Sequence, residues 1–195
     1  MPMVTALKWA VVGFVAGAAL MVGLRHDELP RLAPESSLPS FELQTHAGAP
    51  FTQRELSGRN VLLYFGYTHC PDACPIGLFT VRQILDRLPQ DDGPLLALFV
   101  TLDPDRDTHE VLGRYVSAFH PGIVGLTGQV EQIRRLADAY DVQFEKRGDG
   151  PDYTVDHSTF LYLLGRAGQV RRSFPHGVDP VLATDIIREE LSADG

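Results

Sequence analysis

The chain has 195 residues, 44% of them hydrophobic and 22% charged, a composition that fits one globular domain with a small addition and excludes the disordered, collagenous and coiled-coil classes. Seventeen Lys and Arg stand against 25 Asp and Glu, a net charge of −8, which argues against a nucleic-acid partner. Residues 1–25 hold only Lys8 and Arg25, at +2, which leaves −10 for the rest of the chain and implies two parts with different surroundings.

The first predicted element is apolar from Trp9 to Leu24, with Val4 to Leu7 extending it across Lys8. At 1.5 Å per residue the uninterrupted run spans roughly 24 Å and the extended one about 31 Å, close to the hydrocarbon thickness of a bilayer. Residues 1–8 then read as a cytoplasmic N-terminus and 9–24 as a transmembrane anchor, with Lys8 snorkelling. A cleaved signal peptide is the competing reading, but the small triplet Ala16-Gly17-Ala18 lies inside the run and no good cleavage site follows it. Residues 25–40 carry Pro30, Pro34 and Pro39 among serines and read as a tether. The anchor would leave residues 41–195 on the extracytoplasmic side of the inner membrane, facing the periplasm.

Within 41–195, Phe51–Leu56 reads as a short turn or helix, and the unbroken apolar stretch Val61–Tyr67 as a strand buried on both faces. Pro75–Leu88 has helical spacing, and Leu95–Leu102 is a second buried strand. Asp107 with Glu110 three residues later resembles a capping box opening a helix to Phe119. Ile123–Leu126 reads as a strand, Val130–Tyr140 as a helix, Thr159–Leu164 with Gln169–Phe174 as a strand pair, and Pro180–Leu191 as a closing helix. Alternating strands and helices with a late antiparallel pair predict an α/β, thioredoxin-like fold.

The only two cysteines, Cys70 and Cys74, fall in Gly66-Tyr67-Thr68-His69-Cys70-Pro71-Asp72-Ala73-Cys74-Pro75, just beyond the first buried strand, where α/β sheets place their sites. Cys74 stands at a helix mouth, whose amides favour a thiolate. A structural disulfide is the plain alternative, although closing so short a loop would add little stability. Two thiolates are soft ligands suited to monovalent copper, and imidazole suits either copper state. Among the seven histidines, His26, His46, His109, His120 and His176 read as surface residues, and His69 adjoins Cys70 but is free to point away. His157 precedes the strand Thr159–Leu164, where a thioredoxin-like sheet would face the cysteine loop; a structural histidine fits the same position.

The stretches 66–75, Val100-Thr-Leu-Asp-Pro-Asp-Arg-Asp-Thr108 and Val155-Asp-His-Ser158 together resemble the SCO/SenC family of membrane-anchored copper proteins. The resemblance covers the chain from about Phe41 to its end. It implies that Cys70, Cys74 and His157 bind one copper ion, delivered to the binuclear copper centre of cytochrome c oxidase subunit II, with other periplasmic copper carriers as further partners. Such a protein turns over no substrate. A thiol–disulfide oxidoreductase acting on the acceptor's cysteines is the rival on the same fold, although its relatives space the cysteines by two residues rather than three. A copper sensor or scaffold is a third reading. Asp72 and Asp156 fall on motif positions and read equally as turn and strand-edge acids, and Asp103, Pro104, Arg106 and Asp107 as a loop closure and helix cap.

Overall fold

The computed structural model describes residues 40–88 and 95–193. The expected N-terminus, anchor and all but the last residue of the tether lie outside them, and among the described residues no helix is long and apolar enough to cross a membrane.

A seven-stranded sheet is built around β3 (Val61–Gly66), whose six residues are all buried. Such a strand must be covered on both sides, because side chains alternate across the sheet. Tyr64 points to one face, 6.1 Å from the Phe99 ring centroid. Phe65 points to the other, against Tyr140 at 6.4 Å and Tyr162 at 6.5 Å. Fully buried side chains of this kind each contribute about 1.5–3 kcal/mol, so β3 anchors both halves of the core.

Beside β3 runs β4 (Leu96–Thr101), parallel to it, and beside β4 runs β5 (Ile123–Thr127), also parallel. Crossovers between parallel neighbours need helices. These are α2 (Ala73–Arg87) and α3 (His109–Phe119), which follow α1 (Gln53–Leu56) in the chain. On the other side of β3, β8 (Leu161–Leu164) pairs antiparallel, and β9 (Val170–Phe174) forms that edge. The opposite edge is the hairpin β1 (Glu42–Thr45) and β2 (Pro50–Thr52), so the order is β2-β1-β5-β4-β3-β8-β9. Helix α4 (Val130–Ala139) packs near β1, and α5 (Pro180–Ser192) packs on α2.

The predicted central strands and long helices are present, within a residue or two at their ends. Three expectations need correction. Phe51 belongs to β2, and the helix that follows is capped by a reciprocal Thr52–Glu55 box. Helix α3 is capped by Thr108, whose hydroxyl accepts from the Val111 amide at 3.3 Å, because the Asp107 carboxylate is buried and occupied elsewhere. A separate two-stranded sheet, β6 (Phe144–Arg147) with β7 (Thr154–His157), was not foreseen. Its exposed strand Phe-Glu-Lys-Arg carries no apolar alternation, so no period-2 signal marks it.

Candidate metal centre

Strand β3 ends at Gly66 because the chain must pass close to the helix that follows. A β-carbon there would lie 2.6 Å from the Cys74 sulfur and 2.9 Å from the Phe99 ring. The next residues fold back, with the Cys70 amide donating to the Tyr67 carbonyl at 3.3 Å. Helix α2 then opens with Pro75 in its first turn, where the missing N–H has no partner to lose. Asp72 occupies the N-cap position without a side-chain capping bond. The Cys70 sulfur takes that part: the Cys74 amide, one of the helix's unpaired first-turn donors, donates to it at 3.4 Å.

His157 arrives from β7, 83 residues further along the chain, and its Nε2 lies 3.6 Å from the Cys74 Sγ. Nδ1 donates to the Ser158 carbonyl at 2.8 Å, which in the neutral ring leaves Nε2 as the nitrogen with a lone pair, turned toward the sulfurs. Ser158 is held in turn: its amide donates to the Gln143 carbonyl at 3.0 Å, and its hydroxyl accepts from the Gln143 amide at 3.2 Å. The Tyr67 ring meets the imidazole edge-on, with centroids 5.9 Å apart. Ligand atoms of Cys70, Cys74 and His157 all lie within 4.8 Å of one another. Two thiols and one imidazole with a free lone pair are a donor set suited to a soft metal ion.

The two sulfurs are unequal. Cys74 is fully buried and Cys70 partly exposed, and neither is in a disulfide. A hydrogen bond from the Cys74 thiol, with further support from the Cys74 and Asp72 amides, brings Cys70 down to about 5 against the opposing effect of burial. Sharing that hydrogen bond with Cys70, and its own burial, push Cys74 well above the ordinary thiol range. The pair therefore loses one proton easily and holds the second. The Tyr64 hydroxyl, which donates to the Ala73 carbonyl at 3.2 Å, is likewise pushed far up, by burial and then by the neighbouring sulfurs.

The other sequence candidates lie elsewhere. His69 turns away from the sulfurs, with Nδ1 3.1 Å from the Thr68 hydroxyl and 3.7 Å from Asp107. His46, His109 and His120 are partly buried rather than on the open surface; His46 Nδ1 accepts from the Gly125 amide at 3.1 Å, and His120 Nδ1 from Gly122 at 3.0 Å. His176 is exposed, and His26 is outside the described residues. Asp72 is exposed, and Asp156 forms a 2.9 Å ion pair with Arg147 on the hairpin surface. Both behave as turn and strand-edge acids.

A thioredoxin-like α/β domain whose helix mouth brings two reduced cysteines to a distant histidine defines a class: thiol–imidazole domains fit for soft-metal or thiol chemistry. The family model described as SCO1/SenC matches residues 31–192, and the chain belongs to that family. The mitochondrial protein SCO2 of Saccharomyces cerevisiae is 39% identical over 157 residues, covering 78% of this chain and 52% of the relative. A SCO2-like protein of Rickettsia felis is 39% identical over 171 residues, covering 82% and 83%. The chain thus spans about half the length of the yeast relative and most of the bacterial one. The crystal structure of yeast Sco1 with copper bound superimposes with a TM-score of 0.73 at 36% identity, covering 79% of this chain and 87% of that one.

Proposed function

We propose that the chain binds one copper ion through Cys70, Cys74 and His157 and passes it by ligand exchange to the binuclear copper centre of cytochrome c oxidase subunit II. The observation that carries this reading is the 3.6 Å approach of His157 Nε2 to the Cys74 sulfur across 83 residues of sequence. The lone pair there is kept available by the bond from Nδ1 to Ser158. Membership of a family with copper-bound structures supports the choice of metal. The apolar run 9–24 supports a single-pass inner-membrane anchor with the domain on the periplasmic side, where such an acceptor is assembled.

Copper binding to both thiolates releases protons and requires the reduced pair. The test is copper stoichiometry and affinity of the reduced, detergent-solubilised chain beside His157→Ala and the Cys70→Ser and Cys74→Ser variants. One copper per chain, weakened in each variant, is expected. No tight binding, or binding indifferent to His157, would overturn the assignment.

A second reading rests on the inequality of the two sulfurs. A low-pKa, partly exposed Cys70 beside a buried, protonated Cys74 has the polarity of a thiol reductase. The Cys70 thiolate would attack one sulfur of an acceptor disulfide, breaking that S–S bond to form a mixed disulfide and releasing the acceptor's other sulfur as a thiolate. Cys74 would then give up its proton and displace the acceptor's second thiol, leaving a Cys70–Cys74 disulfide and two reduced acceptor cysteines. Reduction of an acceptor disulfide by the copper-free protein distinguishes this activity from delivery.

A further inference from the structure

The loop from Asp103 to Asp107, between β4 and α3, touches both halves of the candidate centre. Asp107 is fully buried, and its carboxylate accepts from the Thr68 amide at 3.0 Å, the Thr68 hydroxyl at 2.6 Å and the Thr101 hydroxyl at 2.6 Å. Thr68 is two residues from Cys70, and its neighbour Tyr67 accepts the Cys70 amide. Three donors on one buried carboxylate offset the large cost of removing it from water. Two of those donors belong to the cysteine loop.

Asp103, four residues earlier and also buried, faces the other half. One oxygen accepts from the Tyr153 hydroxyl, and the other from Arg106 Nε at 2.5 Å. Tyr153 immediately precedes β7, the strand that ends in His157. Arg106 also donates to the Pro151 carbonyl at 3.2 Å, and its guanidinium lies 3.6 Å from the Tyr153 ring centroid and 5.9 Å from that of Tyr67, the ring that meets His157. The loop closes on itself through the Asp107 amide, which donates to the Asp103 carbonyl at 2.9 Å. The spacing between the two grips is therefore fixed.

We infer that Asp103, Arg106 and Asp107 are positioning residues for the copper ligands: a single five-residue bracket in which Asp107 sets the cysteine loop and Asp103 with Arg106 sets the histidine hairpin. The inference rests on the copper-binding reading. His69, Asp103 and Asp107 also fall within 4.8 Å of one another. Both carboxylates there already accept bonds from Thr68, Thr101, Tyr153 and Arg106, and a metal ion would have to displace that set, so the trio is better explained as part of the bracket than as a second metal site.

The test uses the reduced full chain in detergent, Cu(I) titrated against a competing chelator, and the thiolate-to-metal absorption band after Cu(II) addition. Asp107→Asn, Thr68→Val and Tyr153→Phe should each weaken Cu(I) binding about 10- to 100-fold, the usual effect of losing a group that orients a ligand, and should shift or broaden the absorption band. Thr68→Ser, which keeps the hydroxyl, should restore affinity to within about threefold of wild type. If Asp107→Asn does not fold, the single-hydroxyl deletions Thr68→Val and Tyr153→Phe decide the matter. Wild-type affinity and an unchanged band in those folded variants would overturn the bracket while leaving copper binding intact. A wild-type chain that binds no copper would overturn the copper reading itself, and the bracket with it.

Discussion

The cysteine loop and the histidine hairpin contribute to one centre but are built differently. Residues 66–75 are rooted in the core at both ends, where the central strand meets α2, with Gly66, Tyr67 and Cys74 buried and Gly66 in contact range of the Cys74 sulfur. The hairpin of β6 and β7 stands apart from the main sheet, and of its strand residues only Val155 is fully buried. Its outer face is held by exposed ion pairs such as Arg147 with Glu145 and Asp156, each at 2.9 Å. Core packing fixes the two thiols with respect to the fold, whereas the imidazole is fixed chiefly by hydrogen bonds and ring contacts. A donor set split in this way would give a metal ion a rigid pair of soft donors and a third donor whose placement depends on a few side chains.

The largest expected effect tests that split directly. Cys74→Ala should remove tight Cu(I) binding, weakening it by more than the roughly hundredfold ceiling for orienting groups, because thiolates are the soft ligands of the set. His157→Ala should cost less. Competition titrations of both variants would check this, and a loss in His157→Ala equal to that in Cys74→Ala would break the comparison.

The next effect concerns reactivity. Cys70, brought to about 5 by the hydrogen bond from Cys74, should be alkylated in the metal-free protein at a rate that rises through about pH 5 and is flat from pH 7 to 8. Because the acidity is raised, thiolate is lost only as pH falls through the lowered value. In Cys74→Ala the chief cause is gone, and the midpoint should move up toward the ordinary thiol value near 8.5. A wild-type midpoint already near 8.5 would show that the sulfurs are not coupled.

Stability sharpens the contrast further. Gly66→Ala forces a methyl into the Cys74 sulfur and the Phe99 ring and should cost about 1–3 kcal/mol, as overpacking does, while also disturbing copper affinity. Gly150→Ala, in the hairpin turn at φ +82 with open space around it, meets only backbone strain of about 1–2 kcal/mol and should leave the sulfurs undisturbed. Smallest of all, Arg147→Ala removes exposed ion pairs and should change stability by less than about 1 kcal/mol. Chemical denaturation of the three variants would give the order.

How much of this was legible in the sequence follows the same division. Strands β3 and β4, helices α2, α4 and α5 and the placement of Cys70 and Cys74 were readable, because continuous apolar runs and helical spacing are local signals. The hairpin of β6 and β7 was not, since Phe144-Glu-Lys-Arg147 lacks alternation and its strands pair with each other rather than with the core. The position of His157 before a strand facing the cysteine loop already set it apart from the other histidines, but a structural histidine fitted there equally, and the family resemblance made it a ligand candidate. Asp107 was read as a helix cap because a local pattern with Glu110 was the nearest explanation. Its partners Thr68 and Thr101 lie 39 and 6 residues away, and the longer contact leaves no periodic trace. The Asp-Pro-Asp-Arg-Asp run was visible as a motif, and the structure supplies the two grips it makes.

The edge strand β9 has a consequence for self-association. Its outer backbone groups would be open to strand addition from another molecule, the usual hazard of a sheet edge. Here the edge is irregular, with a register shift against β8 between Leu163 and Leu164. It also carries adjacent Arg171 and Arg172, both joined to Glu190 of α5, at 2.7 and 2.6 Å. The kink and the charge together make β9 a poor template for a neighbouring chain. Molecules brought to high local concentration would thus be discouraged from zipping into continuous sheets.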